Sequence, residues 1–251
     1  MDSSFRIPES RQSELSKDRA TPRLVFAWLL LVALAFVCVP AASYLMRGRL
    51  QHGPGTLDES VRARILASHT STLDVLALIW AAVGSAPGMS AVAIVATIWL
   101  WRSCGRTAGI IIAAPTMAML LDSVSKHISQ RPRPIGGMDH FSSSFPSGHT
   151  ATSTAVLLTL AVVLRRERVV SWPVAALVGV LFPLMIGGSR IYRDAHWTTD
   201  VIGGWIVGGI VAAASLSAYR HLRQAPPSVV DAETVISGVV TRDSELDGQV
   251  E

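Results

Sequence analysis

Long uncharged runs alternate with short polar ones along this chain. Residues 24–46 carry no charge. As a helix rising about 1.5 Å per residue they reach across the roughly 30 Å hydrocarbon core of a bilayer. Arg19 and Arg23 precede the run and favour a cytoplasmic N-terminus. Residues 47–70 form a polar loop with a Gly-Pro-Gly break at 53–55. Within it Leu57, Val61 and Ile65 recur every four residues, with Asp58, Glu59, Arg62 and Arg64 elsewhere on the wheel. That pattern predicts a helix, either lying in the interface or packed on the protein as a solvated loop helix. Residues 75–101 are again uncharged, but Gly84, Pro87 and Gly88 interrupt them. The expected outcome is a short, partly inserted helix over 71–83 and a spanning helix over 87–102, with one long kinked helix as the alternative.

Four further helices follow, over about 107–127, 147–164, 170–189 and 196–219. Pro132 and Pro134 stop the first of these from continuing. Arg102 and Arg106, the run Arg165-Arg166-Glu167-Arg168, and Arg220 with Arg223 fall at alternate ends, as cytoplasmic loops do. The pattern therefore predicts an all-α membrane protein. It is a six-transmembrane-helix bundle with an extra interfacial or partly inserted helical segment between the first and second spans. Residues 1–22 are expected to be a disordered cytoplasmic tail, 23–220 the membrane domain, and 221–251 a disordered acidic cytoplasmic tail.

Composition agrees with this layout. Half of the 251 residues are apolar and only 16% are charged, against about a quarter in soluble domains. The net charge of +4 fits cytoplasmic loops and an anionic substrate. No basic run with interleaved aromatics points to nucleic acid, and no obligate protein partner is implied. Cys38 and Cys104 are too few and too separated for a disulfide framework or a zinc site, and read as small packing residues. The first apolar run is too long for a signal-peptide core and reads as a retained anchor.

Three polar islands sit at the ends of apolar segments, where charge is costly unless it meets a ligand or a partner. In 126–134, Lys126 offers a point charge and Arg133 a fork for two oxygens. Snorkelling to headgroups is the plain alternative, and Arg131 is read that way. In 146–149, Pro146-Ser147-Gly148-His149 opens a helix. Its free N–H groups and dipole suit a phosphate, Gly148 permits close approach, and His149 can donate a proton. An ordinary capped helix start accounts for the same four residues. In 189–200, Arg190 adds a third cation. If the last helix begins near Ala195, His196 and Asp200 lie four apart on one face, so that the carboxylate takes one imidazole proton and frees the other nitrogen as a nucleophile. A structural hydrogen bond between helix neighbours is the bland reading. Alternating topology brings all three islands to the outer face, consistent with one shared phosphate site.

Among the other polar residues, Asp122 lies one turn before Lys126 and is expected to hold its ammonium. Asp194 with Arg193 reads as a local surface pair, and Tyr192 and Trp197 as interfacial belt aromatics. His52, His69, His127, His140 and His221 read as loop or interface histidines.

The islands resemble the three-part signature of the type 2 phosphatidic acid phosphatase (PAP2) superfamily, whose soluble relatives include vanadium haloperoxidases. The pattern is Lys, six residues, Arg-Pro; then Pro-Ser-Gly-His; then Ser-Arg, five residues, His, three residues, Asp. Lys126, Arg133, Pro134, Pro146, Ser147, Gly148, His149, Ser189, Arg190, His196 and Asp200 meet every fixed position. The resemblance implies that His196 attacks phosphorus to give a phosphohistidine and that Asp200 orients it. His149 would protonate the leaving group and then activate water. Lys126, Arg133, Arg190, Ser147 and the Gly148 N–H would hold the phosphoryl oxygens, with neither metal nor cofactor. The implied activity is hydrolysis of a lipid-linked phosphate or diphosphate at the extracytoplasmic face. Polyprenyl diphosphates, including the undecaprenyl carrier, and glycerolipid phosphates suit the motif equally. A non-catalytic lipid-phosphate binder or transporter, and a vanadate-dependent haloperoxidase, are the competing functions.

Overall fold

The computed structural model describes residues 37–45, 54–134 and 143–224, with single positions 33 and 49. No strand occurs among the described residues. Residues 37–45 are helical; the rest of the first expected span, most of both tails and residues 135–142 lie outside the described residues. The helices that follow are α1 (Thr56–Leu66), α2 (Ser71–Val83), α3 (Ala86–Cys104), α4 (Gly109–Ser129), α5 (Gly148–Arg166), α6 (Trp172–Tyr192) and α7 (Thr198–Gln224).

Local signals explain where these helices start and stop. Asp58 and Glu59 in the first turn of α1 and Arg64 in its last complement the helix dipole. The Thr70 hydroxyl caps α2 by accepting from the Leu73 N–H, and the Ser85 hydroxyl caps α3 by accepting from the Gly88 N–H. Between those caps the chain turns, and α2 meets α3 at 57°. The break expected at 84–88 is therefore two helices rather than one kinked rod. α4 ends where Gln130 turns left-handed at φ 49° and its N–H bonds the Lys126 carbonyl, just before the two prolines. α6 carries a π-helical turn at Leu177–Leu181.

Three helices, α4, α6 and α7, are long and apolar enough to cross a membrane, and α2 with α3 makes a fourth if the bent pair is one span. α5 does not share that character, and its position explains why. It runs through the middle of the bundle, with twelve of its residues buried, among them Thr150, Thr152, Ser153, Thr154 and Thr159. A helix wrapped by other helices has little surface to match to lipid. Its seam with α7 is very close. A methyl group added at Gly208 would lie 2.5 Å from the Ala151 carbonyl oxygen, and one at Gly204 would lie 2.8 Å from that of Ser147. Glycines four apart on α7 thus let two backbones approach as larger residues would not. Ala151, Ala155, Val207 and Val211 complete the seam, packing with Ala114, Ala118 and Leu121 of α4.

At the end of the bundle where α5 finishes, Glu167 accepts from the Tyr219 hydroxyl and pairs with Arg223 at 2.9 Å. At the other end lie the C-termini of α4 and α6 and the N-termini of α5 and α7. All three polar islands gather there. α1 packs over this end, on α6 and α7.

Candidate active site

His196 lies at the centre of the gathered islands. Its side chain is almost wholly buried, in the turn between α6 and α7. The last helix begins at Thr198 rather than near Ala195, so His196 and Asp200 do not share a helical face. They meet because Asp200 reaches back. Its Oδ2 accepts from the Trp197 N–H at 2.9 Å, as an acidic third residue of a helix does in a capping box. The same oxygen lies 3.5 Å from the His196 Nδ1. The imidazole makes its closer contact elsewhere, with Nδ1 2.9 Å from the Ser144 carbonyl oxygen.

That contact fixes the tautomer. A carbonyl oxygen can only accept, so Nδ1 carries the proton and Nε2 keeps its lone pair. Nε2 faces the Arg133 Nη1 at 3.2 Å. Arg133 also donates to the Ala195 carbonyl at 2.7 Å, which holds the guanidinium against the turn. Burial pushes the His196 imidazole down to about 4, against the raising effect of Asp200 and helped by Arg133 and Arg190. The ring is thus neutral at neutral pH, the state a nitrogen nucleophile requires.

Arg190 also acts on this ring, and Lys126 acts on His149. Lys126 is held by Asp122 one turn earlier on α4, with Nζ to Oδ2 at 2.9 Å, as expected from the spacing. The Asp122 carboxylate in turn rests against the backbone of Gly148, where an added methyl group would meet Oδ2 at 2.7 Å. Gly148 is therefore needed for the approach of a protein carboxylate. The charges of Arg190, His196, Lys126 and Arg133 all act on His149. Its ring is half-buried in the first turn of α5 and feels the charge of His196. Ser147 is fully buried. Its N–H donates to the Asp200 carbonyl at 3.0 Å, and its hydroxyl accepts from Thr150 at 2.9 Å. The following first-turn amides, Gly148 and His149, have no intrahelical acceptor in an α-helix and present a partial positive charge. The structure thus gathers His196, Asp200, His149, Arg133, Lys126, Arg190, Ser147 and Gly148 at one end of the bundle.

Four side chains read differently in the sequence. Arg131 does not snorkel. It is 3% exposed, and its Nη1 donates to the Asp200 Oδ1 at 2.5 Å and its Nη2 to the Asp58 Oδ2 at 2.6 Å. The turn after α4 points it inward, where two carboxylates compensate its charge. Asp58 carries no signal in the sequence, because an acidic first-turn residue on a loop helix looks like solvated surface. Asp194 pairs with Arg62 of α1 rather than with Arg193, through two bonds of 2.7 Å. Trp197 is not a belt aromatic. Its ring is 7% exposed, its indole N–H donates to the Pro132 carbonyl, and the guanidiniums of Arg62 and Arg131 lie 5.9 and 5.7 Å from its centroid. Beside it a cavity of about 560 Å³, lined by Glu59, Arg62, Leu66, Pro132, Arg133 and Trp197 among others, opens between α1 and the site.

The described residues thus form a helical bundle with membrane-length apolar helices and a buried histidine beside Arg133 and Arg190. The sequence profile of the PAP2 superfamily matches residues 107–224, the segment from the start of α4 to the end of α7. This segment is similar to that superfamily. It is 26% identical over 108 residues to an undecaprenyl-diphosphatase of Sulfolobus acidocaldarius, covering 40% of this chain and 49% of the relative. It is 34% identical over 98 residues to phosphatidylglycerophosphatase B of Bacillus subtilis, covering 36% of this chain and 46% of the relative. The matches thus span less than half the length of these relatives. The fold is similar to the crystal structure of a transmembrane PAP2-type phosphatidylglycerolphosphate phosphatase from Bacillus subtilis. The TM-score is 0.60 at 20% identity, covering 74% of this chain and 92% of the other.

Proposed function

We propose that this protein is an integral-membrane phosphatase that hydrolyses a lipid-linked phosphate or diphosphate through a phosphohistidine at His196. The observation that carries the reading is the His196 ring itself: Nδ1 engaged by a carbonyl and Nε2 bearing its lone pair toward Arg133 at 3.2 Å. A purely structural histidine has no need of a nucleophilic nitrogen among cations. In the proposed reaction Nε2 attacks phosphorus, and the new N–P bond replaces the bond to the leaving oxygen, which takes a proton from His149. Water, deprotonated by His149, then cleaves the N–P bond and releases phosphate. Arg133, Arg190, Lys126, the Ser147 hydroxyl and the Gly148 amide stabilise the charge on the three equatorial oxygens, the role metal ions take in other phosphoryl-transfer sites.

The relatives named undecaprenyl-diphosphatase and phosphatidylglycerophosphatase B support a lipid phosphate as substrate, polyprenyl or glycerolipid. The apolar outer faces of α4, α6 and α7 support arrival of that lipid by lateral diffusion. Arg165, Arg166 and Arg168 lie at the end of α5 remote from the site, which supports an extracytoplasmic active site and a six-span topology with both termini inside. The test is phosphate release by purified protein in detergent from undecaprenyl diphosphate, phosphatidylglycerol phosphate and phosphatidic acid, with His196→Ala as the blank. Release from at least one lipid by the wild type alone is expected. No release from any, or equal release by His196→Ala, contradicts the proposal.

A further inference from the structure

α1 contributes a charge to the site that no part of the phosphate-binding signature contains. Asp58, Arg131 and Asp200 are 2%, 3% and 0% exposed, and they form one chain of ion pairs reaching from α1 to the start of α7. Each carboxylate oxygen in it is satisfied. The Asp58 Oδ1 accepts from the Thr199 N–H at 2.9 Å, and its Oδ2 accepts from the Thr199 hydroxyl at 2.8 Å and from Arg131 at 2.6 Å. The Asp200 Oδ1 accepts from Arg131 at 2.5 Å, and its Oδ2 accepts from the Trp197 N–H while lying 3.5 Å from the His196 Nδ1. The Thr199 hydroxyl also accepts from Arg131 at 2.7 Å, which locks the fork between its two carboxylates.

The charges along this chain run negative, positive, negative. Arg131 and Asp200 alone form a neutral pair, and a neutralised Asp200 compensates little of the positive charge that His196 gains when its Nε2 bonds phosphorus. Beside a buried imidazole such a charge is felt strongly. A third buried charge costs desolvation, and the pairing of Arg131 with Asp200 does not require it. Resting on the phosphatase reading above, we infer that Asp58 is a positioning residue. Acting through Arg131, it restores the net negative charge beside His196 and fixes the Asp200 carboxylate under the imidazole, so that the docking of α1 completes the site.

The experiment uses the full chain in detergent, with kcat and KM measured per folded molecule on the three lipid phosphates named above. Asp58→Asn keeps the shape of the side chain and one acceptor oxygen; it removes the charge and replaces the other acceptor with an amide NH2. Its kcat is expected to fall about 10- to 100-fold, with KM within about threefold, because the loss lies in the transition state. Ser60→Ala, on the exposed side of α1, serves as the control with unchanged kcat. The double variant Asp58→Asn/Arg131→Met removes both outer charges and leaves Asp200 un-neutralised, so it is expected to turn over faster than Asp58→Asn. A purely structural role predicts the opposite order, the double variant being the more damaged. Arg131→Lys keeps the charge but cannot bridge two carboxylates. It gives the reading if Asp58→Asn is not recovered folded, with the same fall in kcat expected. An unchanged kcat in whichever of these folds, or a double variant no faster than Asp58→Asn, overturns the inference. Absence of wild-type turnover on every lipid removes the phosphatase reading instead.

Discussion

Gly208 and Gly209 are neighbours on α7, and the structure assigns them opposite tolerance to a single methyl group. At Gly209 nothing lies within 4 Å of the added Cβ, whereas at Gly208 it would meet the Ala151 carbonyl oxygen and the Thr154 Cβ at 2.5 Å and the Ala155 N at 3.1 Å. Two of those atoms are backbone, so no side-chain rotation relieves the clash. The α5–α7 seam must open by roughly 1 Å, which in a close-packed interior costs about 1–3 kcal/mol. For a chain of this size that corresponds to a drop on the order of 5 °C in Tm. The same seam sets the distance between Ser147 and His149 on one side and Asp200 on the other. A misplacement of about 1 Å lowers turnover by up to roughly 10²-fold. The assay is thermal unfolding and phosphate release measured side by side for the two alanine variants. Gly208→Ala is expected to lose both stability and rate, while Gly209→Ala matches the wild type in both. Equal behaviour of the two variants would refute the claim that this seam sets the geometry of the site.

Loss of His149 is expected to lower kcat by roughly 10²–10⁴-fold, as removal of a general acid does; an unchanged rate would take it out of that role. Because burial holds the His196 imidazole at about 4, the ring gains a proton only as the pH falls through that value. The acid limb of kcat/KM due to the enzyme, once the substrate's own ionisation is allowed for, should lie near 4. A limb near 6.5 would show an imidazole exposed to water. Orthovanadate should inhibit by occupying the cage of Lys126, Arg133 and Arg190, and EDTA should leave the rate unchanged; inhibition by EDTA reversed by Mg²⁺ would count against charge stabilisation by side chains alone.

Much of the candidate site was legible because its residues lie at fixed short spacings next to helix ends. The apolar runs showed where those ends fall, and the proline and serine before Gly148 marked the start of α5. Asp122 could be tied to Lys126 because a single helical turn separates them. What escaped were contacts without a period. Arg131 and Asp58 are 73 residues apart, and nothing local to either shows that they meet. The pairing of Arg62 with Asp194, 132 residues away, is hidden for the same reason. His196 and Asp200 were expected on one helical face, since spacing alone does not reveal that the helix begins two residues after the histidine. The carbonyl of Ser144, which sets the imidazole tautomer, is a backbone group and leaves no mark in the sequence. The threonines of α5 lowered its apolarity because the helix faces other helices, so a pattern read for lipid contact described its surroundings poorly.

Catalysis as proposed depends on His196 taking the phosphoryl group onto its own nitrogen. Brief reaction with a turned-over lipid phosphate, an alkaline quench that preserves phosphohistidine, and peptide mapping by mass spectrometry would locate the phosphorylated residue. A phosphate on His196 is expected in the wild type and in His149→Ala, where both its formation and its departure are slowed, and none in His196→Ala. Efficient turnover with no phosphoenzyme in either protein, or a phosphate on any other residue, would contradict it.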